Sequence, residues 1–216
     1  KAIMSVLQSR WGFNASQCHL LLAQVRLQTK QFDEAEASLN RAVSFDFGIR
    51  NSLRYNMINA QLSEARGQFD NAIKILKEVM RGKEYQNATN NEKVNVYLFL
   101  ARCQKKDNQT DVAMGTVTEA LTKWAGTPDE DKIKLFQASL YSDTGKVREG
   151  LDILEAIEPT SAVFTKARKK AAKIYMNKLK DKAAYIRCFK ELVKANPNKT
   201  SYVLLGDAFM KVKQFT

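Results

Sequence analysis

The sequence predicts an all-α fold, an α-solenoid assembled from antiparallel helix hairpins. Three observations lead there. Aliphatic residues return every three or four positions along the 216 residues, and no alternating strand pattern is present. Glycine (9) and proline (3) are too sparse to interrupt more than the turns. Small residues also recur at fixed points, Ala35, Ala72, Ala113 and Gly150, separated by 37, 41 and 37 residues. A small side chain returning at one place in each unit lets two helix backbones approach closely.

In the first unit Leu22-Ala23 precedes Phe32-Asp33-Glu34-Ala35, Leu39 and Ala42. In the second, Ala60 precedes Gly67-Gln68-Phe69-Asp70-Asn71-Ala72, Leu76 and Val79. Ala101, Ala113, Val117 and Ala120-Leu121 form the third, and Ala138, Tyr141, Gly145, Gly150, Leu154 and Ile157 the fourth. This is a tetratricopeptide-type unit, slightly longer than the usual ~34 residues, so its loops are extended. Helix pairs are expected at 15–45, 52–81, 93–124, 130–157 and 161–195, followed by a half repeat over 199–216. Tyr202, Leu205-Gly206, Phe209 and Phe215 set the register of that half repeat. Residues 1–10 read as the tail of a preceding repeat.

The short turns Lys30-Gln31, Gly67-Gln68 and Gly145-Lys146 force the helices of a pair side by side. Gly82 to Asn91 carries no periodic apolar signal and is expected to be a surface loop. Thr127-Pro128-Asp129-Glu130 reads as a helix N-terminus with proline in the first turn. The whole chain, 1–216, is expected to be one segment of a right-handed tetratricopeptide-repeat superhelix. It reads as a fragment of a longer array, because neither end supplies a polar cap.

Composition excludes several function classes. No apolar run approaches the ~18 residues that cross a bilayer, so a soluble segment is expected. Cys18, Cys103 and Cys188 are odd in number and sit among apolar neighbours, as buried thiols of a reducing compartment do. The one histidine, His19, lies inside an apolar helix and has no clustered carboxylates or thiols with which to bind metal or hydrolyse a substrate. Asp46-Phe47-Gly48 spells the kinase magnesium triplet without a phosphate loop or a catalytic loop, and is read as coincidence. Neither an enzyme nor a cofactor or small-molecule substrate is expected.

More specific stretches resemble one family. Ser44-Phe45-Asp46-Phe47-Gly48-Ile49-Arg50 leads into Leu53-Arg54-Tyr55 and Ala60-Gln61, and Gly126-Thr127-Pro128-Asp129-Glu130 follows later. Next come Ala171-Ala172-Lys173-Ile174-Tyr175, Leu179-Lys180-Asp181-Lys182, Tyr185-Ile186-Arg187-Cys188-Phe189-Lys190-Glu191-Leu192, and Leu204-Leu205-Gly206-Asp207-Ala208-Phe209-Met210. Together these resemble the tetratricopeptide repeat protein twenty-one family, the large repeat subunit of ciliary intraflagellar transport complex A. Tyr185 stands close to where a generic unit places a small residue. The resemblance implies a scaffold without catalytic residues that supports retrograde ciliary transport and membrane-cargo trafficking. It also implies other complex A subunits as partners, contact with membranes only through the complex, and a location in the cilium or flagellum, the basal body region and the cytoplasm.

Charge marks a candidate interface. The net charge is +12, and 166–199 holds twelve basic residues against Asp181 and Glu191. At helical spacing Lys166, Lys169, Lys173 and Asn177 share a face of the fifth repeat's first helix. First helices line the concave side of such solenoids, toward which Arg102, Lys105 and Lys106 of the third repeat also lean. An acidic peptide or an acidic loop of a neighbouring subunit or cargo adaptor suits that wall. A solvated lysine face is the bland alternative. A co-chaperone-like peptide clamp is a second functional reading, disfavoured because neighbouring first helices offer Leu135, Ser139 and Asp143. RNA binding is a third, weakened because Tyr175, Tyr185 and Phe189 fall at core spacing. Trp11 and Trp124 are read as packing residues.

Overall fold

The computed structural model describes residues 15–214. The expected tail at 1–10, Trp11 and Phe215 lie outside the described residues. Every regular element among those described is helical. The chain divides into two compact units, Lys1–Thr116 and Val117–Thr216.

The first unit contains α1 (Ala15–Gln28) and α2 (Phe32–Phe45), a 3-10 turn (Phe47–Asn51), α3 (Leu53–Ala65) and α4 (Phe69–Arg81). A short α5 (Lys83–Asn87) and α6 (Asn90–Lys106) follow, then the start of α7 (Thr110–Lys123). Within it α1 packs on α2 and α3 on α4, α2 lies against α3, and α4 lies against α6. The second unit continues from α7 through α8 (Glu130–Asp143), α9 (Val147–Glu155) and α10 (Phe164–Ile174). A π-helical segment (Tyr175–Leu179), α11 (Lys182–Ala195) and α12 (Lys199–Gln214) complete it. Here α8 pairs with α9, α10 with α11, and α12 lies against α11.

The hairpins are turned by one residue each in the left-handed region: Lys30 (φ 61°), Gly67 (77°), Asn108 (60°), Gly145 (86°) and Lys180 (57°). At the first three turns the backbone closes alike. Gln31 N–H reaches Arg26 O at 2.9 Å, Gln68 N–H reaches Ser63 O at 2.9 Å, and Gln109 N–H reaches Gln104 O at 2.9 Å. This is the Schellman arrangement, which satisfies the last carbonyls of the first helix and starts the second within two residues. A β-carbon at positive φ costs ~1–2 kcal/mol, whereas glycine brings only ~0.5–1 kcal/mol of extra chain entropy. Lys180 is exposed, and its ammonium forms no ion pair among the described residues. Lys180→Gly is therefore expected to raise stability by about 0.5–1 kcal/mol, read as a higher urea midpoint.

Small residues hold the helices of each pair together. Ala23, Ala35, Ala60, Ala72, Ala101, Ala113 and Ala138 are fully buried. Gly150 is the tightest site, because a β-carbon there would lie 2.9 Å from the Ala138 backbone carbonyl and 3.4 Å from Ser142 N. The fifth hairpin departs from the rule: Tyr185 follows left-handed Lys180 at the spacing by which Ala35 follows Lys30 and Gly150 follows Gly145, and it turns into the second unit's core with the buried Ala184 beside it. Polar bonds add register within hairpins. Arg26 Nη1 donates to Ser38 Oγ at 2.6 Å, and Thr116 Oγ1 donates to Gln104 Oε1 at 2.8 Å, at equivalent positions two repeats apart.

Three details correct the sequence reading. Residues 83–87 are helical instead of a loop, because Tyr85 is buried and Lys93 donates to Gln86 O at 2.7 Å, drawing the insertion onto α6. Thr89 and Glu92 then cap α6 reciprocally. At the 127–130 start, α8 begins only at Glu130, so Pro128 lies in the preceding turn. Glu130 folds back there to accept the Gly126 N–H at 2.6 Å. Tyr202 and Phe209 of α12 are exposed, while Ser201 and Ala208 face inward.

Candidate protein-interaction surface

The two groups of expected site residues belong to different units and are described separately. In the first unit, Arg102, Lys105 and Lys106 lie in the last turns of α6. Arg102 Nε is 2.9 Å and Lys106 Nζ 3.1 Å from Glu64 Oε1, on the preceding first helix α3. The Arg102 guanidinium also covers the Phe99 ring at 4.6 Å, and the Lys106 ammonium lies 5.8 Å from the Phe69 ring centroid. Lys105 is half-buried and engaged within the protein. Arg102 and Lys106 join consecutive repeats through Glu64, whose side chain is only 11 % exposed, so their charge is largely spent internally. Sequence reasoning missed Glu64 because it lies 38 residues before Arg102.

In the second unit, Lys166, Lys169, Lys173 and Asn177 are all exposed. Asn177 falls beyond α10, in the π segment, yet it lines the same two cavities as Lys173. The basic stretch divides into two populations. Arg168 is buried: it pairs with Glu191 at 2.6 Å, donates to the carbonyls of Leu154 (2.6 Å) and Glu155 (3.2 Å), and stacks on Phe164. Arg187 pairs with Glu155 at 3.0 Å, and the Tyr175 hydroxyl donates to the same carboxylate at 2.6 Å. Burial, with that carboxylate beside it, pushes the Tyr175 phenol up to about 12. Lys170 and Lys178 reach across to Ser139 Oγ and to the Ser142 carbonyl on α8.

Lys166, Lys169 and Lys173 belong to the second population, with no hydrogen bond or ion pair among the described residues, as do Lys180, Lys190, Lys194 and Lys199. Burial pulls the nearby Lys132 ammonium below its usual range, and Lys166 adds to that against the opposing pull of Asp129. Asp143, Ser139 and Ser142 border a cavity of about 240 Å³ with Lys173 and Asn177, so the neighbouring first helix contributes mainly neutral groups.

The other singled-out residues have structural roles. Asp46 Oδ1 accepts the Gly48 N–H at 2.9 Å and caps the 3-10 turn. Trp124 is buried just past α7. All three cysteines are free and buried, and burial pushes the Cys103 thiol up to about 12 and the Cys188 thiol up to about 11, well away from reactivity. Among the described residues no cluster of three His, Cys, Asp or Glu could hold a metal. No helix there is long and apolar enough to cross a membrane.

His19 stacks on Phe45 with centroids 5.4 Å apart, and its Nδ1 has no partner among the described residues. Burial first, then Arg41 and Arg26, hold its pKa below the ordinary ~6.5. As pH falls through ~6.5 the unfolded chain takes up the proton first, so stability present above that value is lost below it. Thermal melting at about pH 7.5 and pH 5.5 should show a larger loss for the native chain than for His19→Gln.

The fold and its buried small residues define a tetratricopeptide-repeat solenoid class. A thermophilic tetratricopeptide-repeat protein of Thermus thermophilus superposes with a TM-score of 0.60 at 13 % identity, covering 91 % of this chain and all of that one. BtubC from P. vanneervenii gives 0.53 at 15 % identity over 94 % of this chain and 86 % of that one. Residues 47–192 match the family described as Tetratricopeptide repeat protein 21 ARM repeat, and residues 16–48 match a tetratricopeptide repeat. The chain belongs to the tetratricopeptide repeat protein 21 family. It is 34 % identical to the Caenorhabditis elegans homolog and 32 % identical to protein 21B of Xenopus laevis, each over 206 residues and 91 % of this chain. Human protein 21B is 30 % identical over 207 residues. The chain spans 16 % of the length of these relatives. Family and fold together make it a protein-interaction scaffold.

Proposed function

We propose that the chain is a non-enzymatic segment of an intraflagellar transport complex A subunit, supporting retrograde ciliary transport and membrane-cargo trafficking. Its site of action is the cilium, with the basal body region and cytoplasm, and its partners are the other complex A subunits. One observation carries the reading: the family match over residues 47–192 coincides with hairpins whose repeat position is filled by the small residues Ala72, Ala113 and Gly150. In the second unit the unpaired Lys166, Lys169 and Lys173 provide charge for orienting a neighbour's acidic segment.

Affinity capture of the tagged protein from ciliated cells, with mass spectrometry of what accompanies it, tests this. Complex A subunits are expected. Recovery of chaperones or RNA without transport subunits would favour a co-chaperone-like clamp or an RNA-binding repeat instead.

A further inference from the structure

Between α10, α11 and α12 of the second unit lies a groove of about 270 Å³. Met176, Tyr185 and Phe189, each under 10 % exposed, form its floor together with Ala172. The two rings meet edge to face, with centroids 5.1 Å apart. Lys169, Lys173 and Lys211 stand exposed at its rim beside Asn177. None of the three lysines has a hydrogen bond or ion pair among the described residues.

The acids that could neutralise this rim are engaged elsewhere. Asp181 accepts the Ala184 N–H at 2.8 Å and caps α11. Glu191 is held by Arg168 and Arg187, and Glu155 by Arg187 and Tyr175. Asp207, one turn before Lys211, adds to the burial that raises the Tyr185 phenol, and Asp143 borders the adjoining cavity with Lys173 and Asn177. The rim therefore keeps an excess of positive charge over an apolar floor.

We infer that this groove docks an acidic peptide segment bearing one large apolar side chain. The apolar group sits over Met176, Tyr185 and Phe189, and carboxylates on either side meet Lys169, Lys173 and Lys211. The volume suits one such side chain and falls below the ~300–1,000 Å³ of small-molecule pockets. Bases are poorly served, because the floor rings are buried and offer no stacking face. The inference rests on the scaffold reading and assigns it a partner chemistry.

The test uses a short labelled peptide with a central Leu flanked by Glu and Asp. Comparison peptides replace the Leu by Ser or the acids by amides, and an oligouridylate serves as competitor. Fluorescence anisotropy should show saturable binding that prefers the acidic Leu peptide and weakens as salt rises from ~0.05 to ~0.3 M. Lys169→Glu with Lys173→Glu should weaken it about tenfold, and Asp207→Asn should tighten it about twofold. All three positions are exposed, and circular dichroism verifies that the variants remain folded. Absent saturation, unchanged affinity in the charge variants, or displacement by oligouridylate in preference to unlabelled peptide would overturn the assignment. If peptide binding fails while transport subunits are still captured from cells, the groove assignment falls and the scaffold reading stands. If the peptide binds but no transport subunit is captured, the scaffold reading falls instead.

Discussion

Arg168→Ala is expected to destabilise the second unit by about 3 kcal/mol, the low end of the ~3–5 kcal/mol for breaking a buried ion pair. The low end applies because Glu191 is 40 % exposed and can be rehydrated once its partner is gone. Most of the loss comes from the backbone. Arg168 donates to the carbonyls of Leu154 and Glu155 at the end of α9, and its Nη2 lies 3.4 Å from the Ile157 carbonyl beyond it. Alanine leaves those buried acceptors without a donor, which truncation of a surface lysine would not do. Arg168→Lys should fall between the two, since one ammonium can neutralise Glu191 but cannot fork toward three carbonyls. Hydrogen exchange gives the location: protection should drop across 164–195 and persist in α1 to α4. Equal loss in both places would mean that Arg168 does not act as the clasp between the fourth and fifth hairpins.

The second large effect comes from one chemical change made at two glycines. Gly150→Ala places a methyl 2.9 Å from the Ala138 carbonyl, a backbone atom that cannot rotate away, so α8 and α9 must separate. Overpacking of that kind costs ~1–3 kcal/mol and outweighs the ~1 kcal/mol that alanine gains over glycine in a helix. A net loss of about 1 kcal/mol is expected. Gly115→Ala, within α7, meets nothing within 4 Å and should gain about 1 kcal/mol. Opposite shifts of the urea midpoint support the small residue as the seal of each hairpin. Shifts of the same sign would remove that explanation.

Most of the hairpin pattern could be read in the chain because its cause is local. Ala35, Ala72, Ala113 and Gly150 stand at their repeat positions because two backbones meet there, and that constraint leaves its mark one residue at a time. The fifth hairpin departs from that pattern. Tyr185 holds the position that is small in the others, and the first helix there ends in a π-helical segment before left-handed Lys180. Tyr85 was hidden for another reason: five residues of helix are too short to show a period, and the ring is buried by tertiary packing.

The candidate surface was legible only in part. Residue spacing places Lys166, Lys169 and Lys173 together, but nothing near Arg102 or Lys106 announces Glu64, which belongs to the previous repeat. Asn177 followed a single helical period in the sequence, whereas the chain passes into a π-helical turn at Tyr175 and ends in the left-handed Lys180. Whether a cation is spent internally or left for a partner depends on residues tens of positions away. Periodicity carries no record of those pairings.

The most direct test of the basic face as a partner-docking surface compares capture by the native tagged protein with capture by Lys166→Glu/Lys169→Glu/Lys173→Glu, in ciliated cells, with washes at low and high salt. The account predicts that native protein retains complex A subunits in a salt-sensitive manner, and that the triple variant loses both the retained subunits and that sensitivity. Equal recovery and an equal salt response from the two proteins would contradict it.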